Sequence, residues 1–152
     1  YGLDGEGYYR VPVKAMVCSV GREGHETPLG TFALTGRKKE WCPMLDGTYG
    51  QYSNQFSGYY LFHSVCYSEK DPAALLTEEY NMLGGPASLG CVRLQTADAK
   101  WIYDNCPLGP TVSIYNASSL PVPKPSAPWL DISSPNRGWD PTDPDPANPW
   151  NK

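Results

Sequence analysis

The density of proline and glycine is the feature that most constrains the fold of this chain. Its 152 residues include 15 Gly and 16 Pro, and both residue types interrupt or end regular elements. Nine of the prolines follow Asn116, at positions 121, 123, 125, 128, 135, 141, 144, 146 and 149. No regular element survives that density. We therefore expect a β-rich fold with many turns and few long helices.

The change in composition at Asn116 predicts two regions, a domain over residues 1–116 and a Pro/Trp-rich tail over residues 117–152. The first region has the size of one domain with one core. The tail carries large apolar side chains that a mere spacer does not need, namely Trp129, Leu130, Trp139 and Trp150. We expect the tail to pack in extended form on the domain, and a linker leading out of the domain is the alternative.

Charge and hydropathy exclude several classes of partner. The net charge is −4, and the longest basic cluster is Arg37-Lys38-Lys39, so nucleic acid is not an expected partner. No apolar run approaches the ~20 residues that span a bilayer. Because the chain starts with Tyr1 rather than Met, we expect it to be processed or trimmed, and a membrane contact only through an N-terminal anchor that is missing here.

Local patterns predict where the strands and helices lie. Stretches rich in β-branched and aromatic residues predict strands over residues 8–20, 31–35, 59–63 and 111–115. The turn signal at 4–7 predicts that the first of these is the second arm of a hairpin. Capping residues followed by helix formers predict a helix over 96–105, with Thr96 as its cap, and a short helix or lid-like loop over 71–81.

Cys91 is the first candidate for chemistry. The chain has five cysteines, an odd number that leaves at least one thiol unpaired within the chain. Cys91 follows the glycine-rich turn 84–90 and leads directly into a strand. Such a turn exposes backbone amides beside the sulfur, which is how an oxyanion hole is built. The thiolate is the attacking species, so Cys91 needs a base or a positive charge nearby.

His63 is the predicted base. The chain has only two histidines, His25 and His63. His63 closes the apolar run Tyr59-Tyr60-Leu61-Phe62, where the end of a buried strand can hold its ring rigidly. A third group must orient the imidazole, and either the hydroxyl of Ser64 or a backbone carbonyl could accept from its other nitrogen.

Further segments extend the pattern around these two residues in a fixed order: Thr27-Pro28-Leu29-Gly30-Thr31-Phe32, Phe62-His63-Ser64, Ser88-Leu89-Gly90-Cys91-Val92-Arg93-Leu94, Asp98, and Gly109-Pro110-Thr111-Val112-Ser113-Ile114. Together they resemble the L,D-transpeptidase catalytic domain over roughly residues 8–116. The resemblance implies a mainly β fold, in which two small mixed sheets pack as a sandwich or flattened barrel with two short helices on the surface.

The resemblance also implies a reaction, the cross-linking of bacterial peptidoglycan by a secreted enzyme of the cell envelope. Cys91 would attack the carbonyl before the terminal D-alanine of a tetrapeptide stem, and a diamino-acid side-chain amine or water would take the acyl group. His63 would act as base and then as acid. Gly90, with Ser88 and the Cys91 amide, would form the oxyanion and substrate site, and Arg93 would orient a substrate carboxylate or brace the turn. Stem peptides are the implied partners, and carbapenem β-lactams would acylate the same cysteine.

Two departures from the family pattern bear on this interpretation. Leu89 stands where the family signature has a histidine, and 24 residues (64 to 87) separate His63 from Ser88, more than is usual in the family. We expect the extra segment 71–81 to form a wall or lid of the substrate groove. Two other functions stay open, a catalytically inactive module that binds the cell wall and a cysteine peptidase that cleaves stem peptides.

The remaining four cysteines form an even set that could make two disulfides in an oxidising compartment. Spacing does not fix the connectivity. Cys42 with Cys66 is the first guess, which would leave Cys18 and Cys106 as buried thiols. The chain has no Cys-x-x-Cys and no paired-histidine spacing, so we expect no metal and no other cofactor. We expect a monomer.

Overall fold

The computed structural model describes residues 1–119 and 122–152, so Leu120 and the predicted tail residue Pro121 lie outside the described residues. The strands are β1 (Gly2–Leu3), β2 (Tyr9–Val11), β3 (Cys18–Gly21), β4 (Gly30–Ala33), β5 (Lys38–Pro43), β6 (Tyr49–Ser57), β7 (Tyr60–Ser64), β8 (Cys66–Tyr67), β9 (Pro86–Ser88), β10 (Val92–Leu94) and β11 (Thr111–Ile114). The helices are α1 (Thr77–Tyr80) and α2 (Thr96–Asn105), followed by a 3-10 turn at Pro149–Asn151. Among the described residues, no helix has the length and apolar character needed to cross a bilayer.

The strands form one large sheet and two small ladders. The large sheet has the order β5-β6-β7-β10-β3-β9, and β8 pairs with β6 beside this path. β1 pairs with β2, and β4 pairs with β11. The predicted fold class, mainly β with two helices, is confirmed. The strands divide into one seven-stranded sheet and two two-stranded ladders, where two small mixed sheets were expected.

The core lies on the face of the large sheet that α2 covers. Leu34, Phe56 and Val92 form its buried centre, and Phe62 and Ile102 pack against them. These five side chains come from β6, β7, β10, α2 and the position that directly follows β4. Burying apolar area between a sheet and a helix is the main stabilising term of such a layer, and it fixes which sheet face is left open for a site.

Backbone geometry alters the usual alternation of side chains along β6. Tyr52 has a left-handed backbone, with φ of +52°, which L-residues seldom adopt. As a result Ser53 and Gln55 lie on the open face of the sheet, as Gly50 does. The open face of β6 thus continues past the kink.

Two of the predicted elements are shorter than expected. The strand over 8–20 is two separate strands, β2 and β3, because Pro12 has no N–H to donate to a ladder. Of the segment 71–81, only Thr77–Tyr80 is helical. Asp71 caps a turn instead, since its side chain accepts a hydrogen bond from the Ala73 N–H at 2.8 Å.

The predicted helix over 96–105 is confirmed, but its first turn is capped from the tail. Thr96 lies inside the helix, and its backbone N–H donates to Oδ2 of Asp140 at 2.7 Å. The next amide, of Ala97, donates to Oγ1 of Thr142 at 3.2 Å. A tail carboxylate thus occupies the N-terminal position that favours negative charge.

The described part of the tail lies on the domain surface as a strap, in which residues 131–148 form a series of turns rather than the predicted extended form. Leu130 is 2% exposed and belongs to a second buried cluster, together with Val65, Tyr67, Leu75 and Tyr80. The strap is held by backbone contacts, including a hydrogen bond from the Leu75 N–H to the Gly138 carbonyl at 2.8 Å. A side chain at Gly138 would meet the Ala73 carbonyl oxygen at 2.2 Å, so only glycine permits this close approach.

Candidate active site

The open face of the large sheet carries one cleft with a volume of about 910 Å³. Cys91, His63 and Arg93 all line it, as do the predicted site residue Ser88 and the departure Leu89. His25, the other histidine, is not among the lining residues. The structure therefore brings the predicted nucleophile and the predicted base into one cavity.

Strand pairing explains why these side chains meet. β7 and β10 are parallel neighbours, with Val92 opposite Phe62 and Arg93 opposite His63. Cys91 directly precedes β10 and is therefore level with Leu61 in β7. His63 lies two residues further along β7, on the same face of the sheet, so Cys91 and His63 are diagonal neighbours. Diagonal neighbours on paired strands lie about 7–8 Å apart between Cα atoms, within reach of each other's side chains.

The Cys91 thiol is half-buried and points at the neighbouring hairpin. Its Sγ lies 3.8 Å from the backbone carbonyl oxygen of Tyr59, to which the thiol donates. Burial raises the pKa of the Cys91 thiol, while a backbone hydrogen bond from Leu61 acts in the opposite direction. The resting residue is therefore a protonated thiol that needs a base before it can attack.

The His63 ring is buried, with only 2% of the residue exposed. Burial, together with the positive charge of Arg93, lowers the pKa of His63 to about 4, although the Ser64 backbone and Asp46 act in the opposite direction. At neutral pH the imidazole is uncharged and can accept a proton. Nδ1 has no hydrogen-bond partner among the described residues.

Gly50 leaves the space that this ring occupies. A Cβ at Gly50 would lie 2.6 Å from His63 Nδ1 and 2.6 Å from the terminal methyl carbon of Met44. Any larger residue would displace the ring. Sequence reasoning missed this requirement, because nothing in the local pattern around Gly50 links it to His63.

The hydroxyl of Ser64 does not orient the imidazole, which corrects one of the two predicted options. The Ser64 side chain lies on the opposite face of β7. There its Oγ accepts from the Gln51 N–H at 2.8 Å and donates to the Val65 carbonyl at 2.7 Å. Adjacent residues of a strand point to opposite faces, so a residue next to His63 cannot share its cleft.

The Arg93 side chain pairs with an acidic residue of the protein, which leaves it less available to bind a substrate carboxylate. Its guanidinium forms an ion pair with the carboxylate of Glu79 in α1, and the residue is 6% exposed. Of the two predicted roles for Arg93, the contacts support the bracing one.

None of the residues in 71–81 lines the cleft, so this segment is not the predicted wall or lid. Its apolar side chains pack into the second buried cluster instead.

The turn before Cys91 is held by Ser88 and Thr27. Ser88 Oγ accepts from the Gly90 N–H at 3.0 Å and donates to the Cys91 carbonyl at 2.6 Å. Thr27 Oγ1 donates to the Gly90 carbonyl at 2.9 Å. The Gly90 amide is thus already bonded, which leaves it unavailable as an oxyanion donor in this state, and Ser88 braces the turn from inside it.

Gly90 is required at this turn for two reasons. Its φ is +113°, a region that disfavours side chains, and an added Cβ would lie 2.6 Å from the Tyr60 ring. The role of Thr27 was detectable in the sequence only as part of a family-like motif. Thr27 and Gly90 are 63 positions apart in the chain, so no local pattern reveals their contact.

All five cysteines are free thiols in the structure, so the guess of a Cys42–Cys66 disulfide is wrong. Both residues pair with Gly50, from opposite sides of β6. Their Cα atoms are therefore two strand spacings apart, about 9–10 Å, beyond the ~7 Å at which a disulfide can form. Both line the same cleft as Cys91. Among the described residues, no group of three or more acidic, Cys or His side chains is placed to hold a metal ion.

The described tail leaves the cleft open. Every lining residue lies between Gly36 and Arg93, and the side chain of Trp129 projects into solvent, with 77% of the residue exposed. The tail therefore does not place a tryptophan over Cys91 in this structure.

Comparison with known proteins agrees with this geometry. The sequence profile of the YkuD family, described as the L,D-transpeptidase catalytic domain, matches residues 4–114. The chain belongs to this family. The match includes both strands of the candidate site and ends where the Pro-rich tail begins.

Individual members of the L,D-transpeptidase family are similar over part of their length. YciB of Bacillus subtilis (strain 168), named as a candidate L,D-transpeptidase, is 40% identical over 84 residues, which make up 53% of this chain and 42% of YciB. The chain thus spans about two fifths of the length of that relative.

Solved structures share the fold. L,D-transpeptidase LdtMt1 in complex with imipenem superposes with a TM-score of 0.55 at 21% identity, over 68% of this chain and 49% of that one. An L,D-transpeptidase from Mycobacterium tuberculosis H37Rv superposes with a TM-score of 0.52 at 26% identity, over 66% and 42%. L,D-transpeptidase 3 from Mycobacterium tuberculosis, in complex with a faropenem-derived adduct, gives 0.52 at 24% identity, over 72% and 49%.

Proposed function

We propose that this chain is a peptidoglycan L,D-transpeptidase that works as a cysteine acyltransferase, with Cys91 as nucleophile and His63 as base. The observation that carries the proposal is the diagonal placement of Cys91 and His63 on parallel strands of one open cleft. A buried neutral imidazole beside a protonated thiol is the arrangement that nucleophilic catalysis by cysteine requires. Membership of the L,D-transpeptidase family supplies the class of reaction.

The first acyl transfer forms a thioester. His63 accepts the thiol proton as the Cys91 sulfur bonds to the carbonyl carbon that precedes the terminal D-alanine. The carbon–nitrogen bond then breaks, and His63 returns the proton to the leaving amine of D-alanine. Because the Gly90 N–H is held by Ser88, we assign the oxyanion contact to the backbone amide of Cys91, with Gly90 able to contribute only if that bond opens.

The second acyl transfer releases the enzyme. The side-chain amine of a diamino acid attacks the thioester carbon and gives its proton to His63, and the carbon–sulfur bond breaks. The Cys91 sulfur then recovers the proton from His63. Water in place of the amine gives carboxypeptidase action. Since stem peptides occur in the wall, the proposed place of action is the cell envelope.

Intact mass spectrometry after incubation with a carbapenem tests the nucleophile. We expect one adduct on the native chain, no adduct on Cys91→Ala, and an unchanged adduct on Cys66→Ala. Cys66 is the matched control because it lines the same cleft and burial raises the pKa of its thiol as it does that of Cys91. Cys66 has no role in our mechanism, so any difference in labelling reports the position beside His63. An adduct that persists on folded Cys91→Ala contradicts the assignment.

Product analysis separates transpeptidation from the other candidate functions. A tetrapeptide donor incubated with a diamino-acid acceptor should release D-alanine and yield a cross-linked peptide that depends on Cys91. Internal cleavage of the stem without D-alanine release would instead identify a peptidase. Binding of the donor by native protein without any covalent product or release would identify an inactive wall-binding module.

A further inference from the structure

The cleft has a cationic end that the proposed acyl transfers do not use. Arg37 and Lys39 both line the cleft and are exposed. Among the described residues, neither has an acidic partner within 4 Å, and neither side chain makes a hydrogen bond. Unpaired cations facing a cleft stand out in a chain of net charge −4.

Strand register shows that both side chains point into the cleft. Lys38, between them, is also a lining residue of the cleft, but its side chain points to the opposite face of the sheet, where its Nζ donates to the carbonyl of Tyr103 in α2. Alternation along a strand therefore directs Arg37 and Lys39 to the open face. Lys39 pairs with Ser53, which is itself a cleft residue.

The same register gives their position relative to the nucleophile. The Gln55 N–H donates to the Arg37 carbonyl at 3.1 Å, and Gln55 pairs with Leu61. Leu61 is level with Cys91, because Phe62 is opposite Val92 in the next strand. Arg37 and Cys91 thus lie in one row across four strands. Three strand spacings separate their backbones, about 14 Å.

That separation matches a short extended peptide. A strand-like peptide rises about 3.3 Å per residue, so a donor lying along the row spans the distance within about four residues. The long side chains of Arg37 and Lys39 reach inward and shorten it. Near His63, the cleft holds the carboxylate of Asp46, and the guanidinium of Arg93 is paired with Glu79. Arg37 and Lys39 therefore form the cationic end of the cleft.

We propose that Arg37 and Lys39 form a subsite for a carboxylate of the acyl donor, located within a few residues before the carbonyl that Cys91 attacks. The protein therefore prefers donors with a free carboxylate there over donors with a carboxamide. Guanidinium and ammonium groups donate charge-assisted hydrogen bonds to carboxylates, which a neutral amide cannot match. This specificity rests on the acyl-transfer function proposed above.

Two synthetic donors test the subsite. L-alanyl-γ-D-glutamyl-L-lysyl-D-alanine carries one free carboxylate before the attacked carbonyl, and the D-isoglutamine version carries a carboxamide at the same atom. The double variant Arg37→Gln/Lys39→Gln should lose about 10-fold or more in kcat/KM for the first donor, as two charge-assisted contacts imply. It should change by less than about 2-fold for the second donor. The preference of the native protein should weaken in high salt.

Lys124→Gln is the matched control, because it removes one exposed positive charge outside the cleft. It should leave both donors unchanged. An equal loss on both donors in the Arg37→Gln/Lys39→Gln variant, or no preference in the native protein, overturns the subsite while leaving transpeptidation intact.

A measurement of binding alone tests the subsite even if the protein does not turn over either donor. Calorimetry of the two donors with Cys91→Ala, with and without the Arg37→Gln/Lys39→Gln changes, reports the subsite without any chemistry. A carboxylate preference that disappears with the two cations supports the subsite even if the acyl transfer proposal fails. Equal affinity for both donors refutes it.

Discussion

Acidification should destabilise this protein through His63, by an amount that the structure sets. Burial lowers the pKa of His63 in the folded chain to about 4, whereas an exposed histidine titrates near 6.5. The unfolded chain therefore takes up a proton at this residue between pH 6.5 and 4, and the folded chain does not. The contribution of neutral His63 to the free energy of unfolding is therefore complete above pH 6.5 and is lost as the pH falls to about 4.

The size of the effect follows from the two pKa values. At about 1.4 kcal/mol for each pH unit, the difference between 6.5 and about 4 corresponds to about 3–4 kcal/mol. About 3 kcal/mol of this is lost by pH 4, where His63 of the folded chain is itself half protonated. Buried carboxyl groups act in the opposite direction, because burial raises the pKa of Asp140 and of Asp143. Their stabilising contribution grows as the pH falls, so the native protein alone does not isolate His63.

The assay compares native protein with His63→Gln, which keeps a polar side chain but cannot be protonated. Urea unfolding followed by tryptophan fluorescence gives the free energy of unfolding of each protein between pH 7.5 and pH 4. The carboxyl contributions are common to both and cancel. The free energy of unfolding of the native protein, relative to that of His63→Gln, should fall by about 3 kcal/mol between pH 7.5 and pH 4. Parallel pH curves for the two proteins would refute a buried neutral imidazole.

Two further substitutions test how the site is built. Glu79→Gln should lower the free energy of unfolding by about 1–2 kcal/mol, because it removes the charge that pairs with the buried Arg93, although Glu79 itself is partly exposed. The control Glu78→Gln changes the exposed residue just before it and should alter the free energy of unfolding by less than about 0.5 kcal/mol. Equal losses for the two variants in thermal unfolding would contradict the role of the ion pair. Gly50→Ala should displace the ring of His63 and cut kcat at least about 10-fold at unchanged secondary structure; full activity by D-alanine release with a folded variant would show that the ring is not held where the structure has it.

The local sequence was sufficient for the elements that carry the chemistry. The apolar run ending at His63 predicted β7, the glycine turn predicted the approach to Cys91, and the capped pattern predicted α2. Each of these signals lies within about ten neighbouring residues, where periodicity and turn chemistry act. Pro12 interrupts the predicted long strand over 8–20, so the prediction made this strand longer than the strands of the structure.

The contacts that make a site from these elements were decided by tertiary structure. Thr27 on the Gly90 carbonyl, Glu79 on Arg93 and Asp140 on the first turn of α2 join residues far apart in the chain. The Ser64 hydroxyl could be excluded only once the face of β7 that it occupies was known. Sequence patterns report which residues share a face of one element, whereas strand order and register decide which faces meet. The protein's site depends on that pairing, since parallel β7 and β10 bring His63 beside Cys91, and the pairing of β5, β6, β7 and β10 places Arg37 in one row with Cys91.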